Sequence, residues 1–257
     1  MTTTILVTGG TGRLGRALVP RLADAGHEVR VLTRREREPA AWTWATGDLR
    51  TGRGLAEAVD GAAVIIHLAT TNGRGDIAAT RNLVEAASAA GRPHLVYVSI
   101  VGIENVALGY YRAKAACERL VEESGLPWTI LRTTQFHDLI TAICDVQRRL
   151  PVTMMPAKVS FQPIDVTEVA ERLVAIAALP AAARVPDLGG PQVRDAAELA
   201  RSYLRAIGRR RPVWSVRLPV KAIRDYRAGH HLTPERAVGR ITFEEYLSRT
   251  VHARNTR

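Results

Sequence analysis

The sequence feature that most constrains the fold is a glycine-rich stretch near the start of the chain, Gly9-Gly10-Thr11-Gly12-Arg13-Leu14-Gly15. A short apolar run, Ile5 to Val7, precedes it, and β-branched residues of this kind suit a strand that is covered on both faces. Apolar residues then recur at helical spacing from Leu14 to Leu22. The stretch therefore predicts a buried parallel strand, a tight turn and a helix, in that order.

Each glycine of this turn has its own physical reason. Gly9 permits a sharp exit from the strand, Gly12 leaves the backbone open to a close ligand, and Gly15 lets the helix pack tightly on the sheet. Unpaired N–H groups and the dipole at the start of the helix attract phosphates. We therefore predict a dinucleotide-binding unit whose turn holds a pyrophosphate. The cofactor contacts predicted here belong to Gly9, Thr11, Gly12, Arg13, Leu14 and Gly15.

The rest of the first 150 residues alternates predicted strands with predicted helices. The strands are 27–33, 42–47, 62–68, 95–99 and 128–131, and the helices include 54–59 and 76–90. The second of these helices has Asp76 as its predicted cap. Such alternation predicts an α/β fold, a doubly wound parallel sheet of Rossmann type. We expect residues 1–150 to form the dinucleotide-binding core and residues 151–257 to complete it and form a small C-terminal substrate-binding region.

The end of the second predicted strand bears on the choice of cofactor. A site selective for NAD places an acidic residue there to bind the ribose hydroxyls. This chain has Thr33-Arg34-Arg35 instead, and an arginine can pair with a 2′-phosphate through charge-assisted bonds. We therefore expect NADP(H) to be preferred over NAD(H), with Arg34 ahead of Arg35 as the residue that binds the phosphate.

Three side chains predict acid–base chemistry. Ser99 ends a predicted strand, at the edge of the sheet where ligands bind in open α/β folds. Tyr110 and Lys114 are four residues apart in a helical stretch, so they share a helix face. An ammonium group beside a phenol lowers the pKa of the phenol. Tyr110 is therefore expected to exchange a proton with a carbonyl oxygen, while Ser99 orients that oxygen.

In this order, the motifs resemble the short-chain dehydrogenase/reductase superfamily. They are Thr8 with the G-x-x-G-x-x-G turn, the arginine after the second strand, and Ser99 with Tyr-x-x-x-Lys. Arg132-Thr133-Thr134-Gln135-Phe136, which follows the sixth strand, resembles the atypical branch that includes the NmrA-like NAD(P)H-binding proteins. The resemblance covers residues 4 to 175 and, more loosely, the C-terminal part.

The resemblance implies further site residues. It places Asp48, with Leu49, at the adenine, the Ala69-Thr70 backbone along the cofactor, Lys114 at the nicotinamide ribose, and Thr133 beside the nicotinamide. His67 is expected to be a packed histidine and not a catalytic one. Two departures bear on catalysis: the gap from Ser99 to Tyr110 is shorter than is usual in catalytic members, and Tyr111 directly follows Tyr110. We favour Tyr110, because it alone has the four-residue spacing to Lys114.

The resemblance implies an NADPH-dependent oxidoreductase of the atypical short-chain type, with Tyr110, Lys114 and Ser99 as catalytic residues. The substrate expected is a small molecule, an apolar carbonyl, enone or quinone, because few polar candidates lie near the expected pocket. Two alternatives stay open: a non-catalytic NADP(H)-binding sensor of NmrA type, and an NADP-dependent isomerase or epimerase. Apolar walls for a pocket could come from Phe136, Met154, Met155, Phe161 and Trp214.

Composition excludes several other classes. No run of about 18 apolar residues occurs, so we expect no membrane partner. The stretch Met1–Thr4 does not resemble a signal peptide, and two unpaired cysteines fit a reducing compartment, which predicts a cytoplasmic protein. The histidines lack metal-ligand spacing, so no metal is expected. The net charge is +11. We expect these charges to be scattered apart from Arg209–Arg211, with no nucleic-acid partner, and the chain to be a monomer or homodimer.

Overall fold

A computed structural model describes residues 2–38 and 40–255, with the side chains up to Thr250. The described chain divides into two compact units. The first takes the residues up to Ser99, then Leu108–Arg132 and Val166–Pro186. The second takes Ile100–Ala107, Thr133–Asp165 and the residues from Asp187 onward. The two units are not consecutive segments of the chain: residues 166–186 belong to the first unit, whereas residues 100–107 and 133–165 belong to the second. The expected division into 1–150 and 151–257, with the C-terminal part completing the core, stays a prediction.

The first unit is built on a sheet of seven parallel strands. These are β1 (Thr4–Thr8), β2 (Glu28–Thr33), β3 (Thr43–Thr46), β4 (Val64–His67), β5 (His94–Ile100), β6 (Trp128–Thr133) and β9 (Ala183–Arg184). Their order is β3-β2-β1-β4-β5-β6-β9. The chain thus runs outward in one direction from β1 and in the other from β4. The strands that leave this switch point open a crevice at their carboxyl ends, where ligands bind in such sheets.

Helices flank this sheet. They are α1 (Arg13–Asp24), α2 (Leu55–Val59), α3 (Gly75–Ala89), α4 (Gly109–Glu122) and α6 (Val166–Ala177). Helix α1 packs against α6, and α3 packs against α4. The strand side chains of Leu6, Ile65, Leu95 and Ile130 are fully buried in one cluster with Leu83 of α3. The strand order and the flanking helices confirm the predicted doubly wound parallel sheet. Its physical reason is that apolar strands of this kind need cover on both faces.

The described part of the second unit contains two sheets of two strands each, in place of one large sheet. Its helices are α5 (His137–Asp145), α7 (Ala196–Ala206), α8 (Lys221–Arg227) and α9 (Phe243–Asn255), with a 3₁₀ turn at Pro234–Arg236. Strand β7 (Thr153–Pro156) pairs in parallel with β11 (Val213–Val216), and β8 (Ser160–Phe161) pairs antiparallel with β10 (Arg194–Asp195). Asp195 caps α7, since its carboxylate accepts from the backbone N–H of Ala197 at 2.8 Å. Among the described residues, no helix is both long and apolar enough to cross a membrane.

Candidate dinucleotide and catalytic site

The glycine turn after β1 requires glycine for two separate steric reasons. Gly9 has φ of +71°, and a Cβ there would lie 2.7 Å from the Ala69 nitrogen, at the end of β4. A Cβ on Gly15 would lie 2.4 Å from both the Gly10 Cα and the Gly9 oxygen. Gly15 therefore lets α1 approach the turn itself and not, as the sequence suggested, the body of the sheet.

Gly12 differs from Gly9 and Gly15, because the space that a Cβ would occupy there is largely open. A Cβ built there meets only the Gly9 oxygen, at 3.1 Å, and its φ of −75° suits any residue. Gly12 caps α1 without a side-chain hydrogen bond, and the first turn of α1 holds no acidic residue. Thr11, Gly12 and Arg13 are exposed, whereas Leu14 and Gly15 are buried. This cradle of open backbone at a helix start fits a pyrophosphate.

The turn after β2 presents both predicted arginines to solvent. The Thr33 hydroxyl donates to the Arg35 carbonyl at 3.1 Å and accepts from the Arg35 N–H at 3.4 Å. Arg34, at the tip of this turn, and Arg35 are both exposed. The turn therefore offers one or both guanidinium groups to an anion beyond the strand end.

Asp48 and Leu49 form the turn after β3. The Asp48 Oδ1 accepts from the Arg50 N–H at 2.9 Å, and the carboxylate is half-buried. Leu49 packs against the core, and its carbonyl accepts from the Asn82 side-chain amide at 2.8 Å. This fixes the turn at the carboxyl edge of the sheet. Contact of Asp48 with adenine stays a prediction.

His67 closes β4 as a packed histidine, as the sequence predicted. Its Nδ1 lies 2.7 Å from the Thr8 Oγ1 and its Nε2 lies 3.1 Å from the Thr80 Oγ1. The Thr8 Oγ1 also accepts from the Ala69 N–H at 3.3 Å. Burial, with a smaller contribution from Lys114, lowers the pKa of His67 to about 3. The neutral imidazole thus joins the ends of β1 and β4 beneath the glycine turn.

The predicted helix cap at Asp76 is wrong. Helix α3 begins at Gly75, and its cap position has no side-chain hydrogen bond. The Asp76 carboxylate instead accepts from the Thr71 N–H and hydroxyl, at 2.5 and 2.7 Å, and from the Thr70 hydroxyl at 2.6 Å. These three bonds hold the exposed Thr70 and its loop against α3, because a buried carboxylate needs donors on every side.

Lys114 is buried where β5 meets α4. Only 5% of the residue is exposed, and its Nζ donates to the Val98 carbonyl at 2.9 Å while lying 4.7 Å from the centre of the Tyr97 ring. Burial lowers the pKa of Lys114. The next residue of the strand is Ser99, whose Oγ is buried and has no hydrogen-bond partner among the described residues. A buried hydroxyl of this kind is available to a ligand oxygen.

The two adjacent tyrosines at the start of α4 have different surroundings. Tyr111 is 3% exposed and belongs to the buried side of the helix, whereas Tyr110 is half-buried. Their rings meet edge to face, with centroids 6.1 Å apart. A proton donor must reach its substrate, so the more accessible Tyr110 is favoured over Tyr111.

A buried ion pair below this site was missed by the sequence reasoning. The Arg132 Nε donates to the Glu118 Oε1 at 2.8 Å, and the two side chains are 6% and 4% exposed. Glu118 lies one turn after Lys114 on α4 and raises the pKa of that lysine, against the larger effect of burial. The sequence contained a signal for this ion pair, because Glu118 follows Lys114 by four positions and Arg132 ends an apolar strand.

Thr133 and its neighbours belong to the second unit. Thr133 is buried, and its carbonyl accepts from the Val101 N–H at 3.0 Å. The Gln135 side chain donates to the His231 carbonyl at 3.1 Å. Of the residues considered as pocket walls, Met155 and Phe161 lie in the core, whereas Met154 and Trp214 are exposed to solvent. The described geometry leaves a role of Thr133 at the nicotinamide as a prediction.

Comparisons with known proteins agree with this geometry. Residues 9–180 match a family described as NAD(P)H-binding. The chain is 35% identical to the photosystem II assembly factor Ycf39 of Cyanophora paradoxa over 51% of this chain but only 45% of that protein, so it matches less than half of that relative's length. It is 31% identical to (4-alkanoyl-5-oxo-2,5-dihydrofuran-3-yl)methyl phosphate reductase of Streptomyces griseus, over 80% of this chain and 74% of that one.

Among solved structures, the fold is similar to that of the NADPH-dependent quinone oxidoreductase QOR2 of Escherichia coli in complex with NADPH. The TM-score is 0.78 at 18% identity, over 96% of this chain and 99% of that one. The match shows a shared Rossmann-type fold. The glycine cradle, the strand order and the family match lead to one conclusion: the chain belongs to the NAD(P)H-binding family.

Proposed function

We propose that this protein is an NADPH-dependent oxidoreductase that reduces the carbonyl, enone or quinone group of a small molecule. One observation carries the proposal. The buried Lys114 donates a hydrogen bond to the carbonyl of Val98, and Tyr110 lies one helical turn before the lysine. Ser99 follows Val98, and its buried hydroxyl has no partner in the part of the chain that the structure describes. These positions support a site at the carboxyl edge of the sheet in which an acid, a cation and an orienting hydroxyl act together.

NADPH supplies the hydride when it is bound. Ser99 orients the substrate oxygen by a hydrogen bond from its Oγ, and Tyr110 donates the proton from its hydroxyl to that oxygen. Lys114 supports this transfer through the positive charge that it brings to the site, and it is the residue that we propose for the nicotinamide ribose. Its bond to the Val98 carbonyl fixes the ammonium beside Ser99.

The cofactor preference rests on the exposed turn after β2. Arg34 and Arg35 stand where a NAD-selective site would have a carboxylate. A guanidinium group forms charge-assisted bonds with a 2′-phosphate and makes no comparable bond with a ribose hydroxyl. We therefore propose NADP(H) over NAD(H). The relative named a reductase and the neighbouring quinone oxidoreductase that binds NADPH support this choice of reaction and cofactor.

The test is NADPH oxidation, followed by absorbance, against a panel of quinones, ketones and enones. We expect Tyr110→Phe to lower turnover by about 10²- to 10⁴-fold with unchanged NADPH affinity. Tyr111→Phe is the matched control and should retain most of the activity, because Tyr111 is buried. Gly12→Val serves as the variant that cannot bind the dinucleotide.

Three results would contradict the proposal. Tight NADPH binding with no turnover on any acceptor would favour the sensor. Product formation without net loss of NADPH would favour an isomerase or epimerase. Full turnover in Tyr110→Phe would remove this tyrosine as the acid.

A further inference from the structure

The excess of basic over acidic residues can be assigned to two segments of the chain, and one of them contains the expected local run at Arg209–Arg211. Residues 146–164 contain three basic residues, residues 199–224 contain eight, and neither segment contains an aspartate or glutamate. Eleven of the 36 basic residues of the chain thus lie in these segments, and the remaining 25 equal the 25 acidic residues. The net charge of +11 is therefore the charge of these two segments.

The fold of the second unit joins these segments side by side. Strand β7 of the first segment pairs in parallel with β11 of the second, and Met154 is the register partner of Trp214. Partners in a ladder present their side chains to the same face. Met155, the neighbour of Met154, points inward and is 1% exposed, whereas Met154 and Trp214 are 45% and 59% exposed. The outer face of this two-stranded sheet is therefore apolar.

The loop before β7 extends this apolar face. The Gln147 side chain accepts from the Met154 N–H at 2.8 Å and donates to the Met154 carbonyl at 3.1 Å. Arg211 donates to the carbonyls of Gln147 and Leu150, each at 2.7 Å. These bonds fix the loop that carries Leu150, which is 43% exposed, beside β7. Val146 directly precedes Gln147 at the end of α5 and is 83% exposed. We call Val146, Leu150, Met154 and Trp214 the β7–β11 face.

Exposed arginines adjoin the β7–β11 face along the chain. Arg148 and Arg149 lie in the loop before β7, Arg209 and Arg210 lie in the loop before β11, and Arg217 follows β11. All five are exposed. A surface that combines large apolar side chains with cations of one sign is unusual for a protein that contacts only water.

We propose that the β7–β11 face binds the surface of an anionic lipid bilayer. The arginines pair with lipid phosphates, while Trp214 and the aliphatic side chains enter the interfacial layer, where indole rings are favoured. This differs from the sequence-based expectation of no membrane partner, because that expectation rested on the lack of a spanning segment. Peripheral binding needs only an exposed apolar face and positive charge.

Two other ligands, a nucleic acid and a second copy of this chain, fit the β7–β11 face less well. Nucleic acid would pair with the arginines but would leave three aliphatic side chains against phosphates and sugars, with one aromatic side chain for stacking. A second copy of the same face would bring like charges together. A lipid bilayer accommodates both the apolar and the cationic part.

The test is sedimentation with sucrose-loaded vesicles, and it does not depend on the proposed enzymatic activity. We expect binding to phosphatidylcholine vesicles that contain about one third phosphatidylglycerol, little binding to pure phosphatidylcholine, and weaker binding at high salt. Arg209→Glu/Arg210→Glu should reduce the partition coefficient at least tenfold, since each cation near an anionic bilayer contributes about fivefold. Trp214→Ser should reduce it several-fold.

Matched controls lie in the first unit. Arg53→Glu/Arg81→Glu changes the net charge by the same amount, and Leu179→Ser removes an apolar side chain that is 58% exposed, as Trp214 is 59% exposed. Both should bind vesicles as the wild type does, and all variants should show unchanged thermal unfolding. Equal losses in the controls, equal binding to neutral vesicles, binding to duplex DNA but not to vesicles, or self-association abolished by Trp214→Ser would each overturn the proposal.

Discussion

The two units differ in their most deeply buried polar contacts, although the second unit also buries the carboxylates of Asp165 and Asp225. In the first unit, the side chains of Asp76, Lys114, Glu118 and Arg132 are charged and buried close to the carboxyl ends of the strands. In the second unit, the neutral amide of Gln162 is fully buried among backbone groups. It donates to the carbonyls of Gly190 and Thr233, at 2.9 and 3.1 Å, and accepts from the Thr233 N–H at 2.8 Å.

This difference reflects what each unit needs. A buried charge costs far more desolvation energy than a buried amide unless it is fully paired, so its presence demands a reason. In the first unit, the charges surround the lysine that we propose for catalysis. In the second, Gln162 only joins loops that are distant in sequence, and an amide can do this without a counter-ion. The predictions that follow challenge this distinction, from the largest expected effect to the smallest.

Breaking the buried ion pair should have the largest effect on stability. Glu118→Leu leaves the Arg132 guanidinium buried without its carboxylate, and we expect the free energy of unfolding to fall by about 3–5 kcal/mol. Urea unfolding followed by circular dichroism measures this. The double variant Glu118→Leu/Arg132→Met should recover much of the loss, because no charge is then left unpaired. If the free energy of unfolding of the single variant fell by less than about 1 kcal/mol, the pair would be accessible to solvent and not buried.

His67 should make the stability of the first unit depend on pH. The pKa of His67 is about 3 in the folded chain, against about 6.5 when unfolded. Because the unfolded state alone takes up the proton between these values, the contribution to stability is present above pH 6.5 and falls as the pH falls towards 3. The loss should reach about 3 kcal/mol at pH 4.

Urea unfolding of wild type and His67→Asn between pH 7 and pH 4 tests this. The variant should be less stable at pH 7, with a shallower pH dependence, so the two curves converge in acid. In the second unit, burial lowers the pKa of His231 to about 4. His231→Asn should therefore show the same convergence with a smaller amplitude at the acid end. Parallel curves for wild type and His67→Asn would refute the buried neutral imidazole.

Removing the amide of Gln162 should cost about 2 kcal/mol. Gln162→Leu keeps the volume but leaves the Gly190 carbonyl and both Thr233 backbone groups without the partner described above. Thermal and urea unfolding measure the change, and the exposed Gln192→Leu is the control, with an expected change within about 0.5 kcal/mol. If Gln162→Leu were as stable as the wild type, the second unit would not depend on this neutral contact.

The smallest effect should come from the exposed turn after β2. Arg34→Ala should weaken NADPH binding about tenfold while changing NADH binding less than about twofold, because only NADPH carries the 2′-phosphate. Fluorescence titration of both nucleotides gives this ratio, with Arg35→Ala for comparison. Equal losses for the two nucleotides would contradict the phosphate assignment without affecting the fold.

The elements of the first unit could be predicted from its sequence, because they depend on patterns between residues close in the chain. The strand at Ile5–Val7, the glycines at 9, 12 and 15, and the alternation of apolar strands with helices all reflect constraints between residues close in the chain. The positions of Ser99, Tyr110 and Lys114 followed from the same reasoning. By contrast, α5 was not predicted, because Ile140, Thr141 and Ile143 are β-branched and give no strong local preference for a helix.

What the sequence by itself determined is therefore the Rossmann-type sheet, its glycine turn and the candidate residues at its carboxyl edge. Tertiary structure decided the return of residues 166–186 to the first unit with the two-residue strand β9, the Glu118–Arg132 pair, the contacts of Gln162, and the pairing of β7 with β11. Periodicity and glycine geometry act over a few residues. The ion pair and the hydrogen bonds of Gln162 alone join residues 14 to 71 positions apart, and only the packing of the whole chain selects such partners.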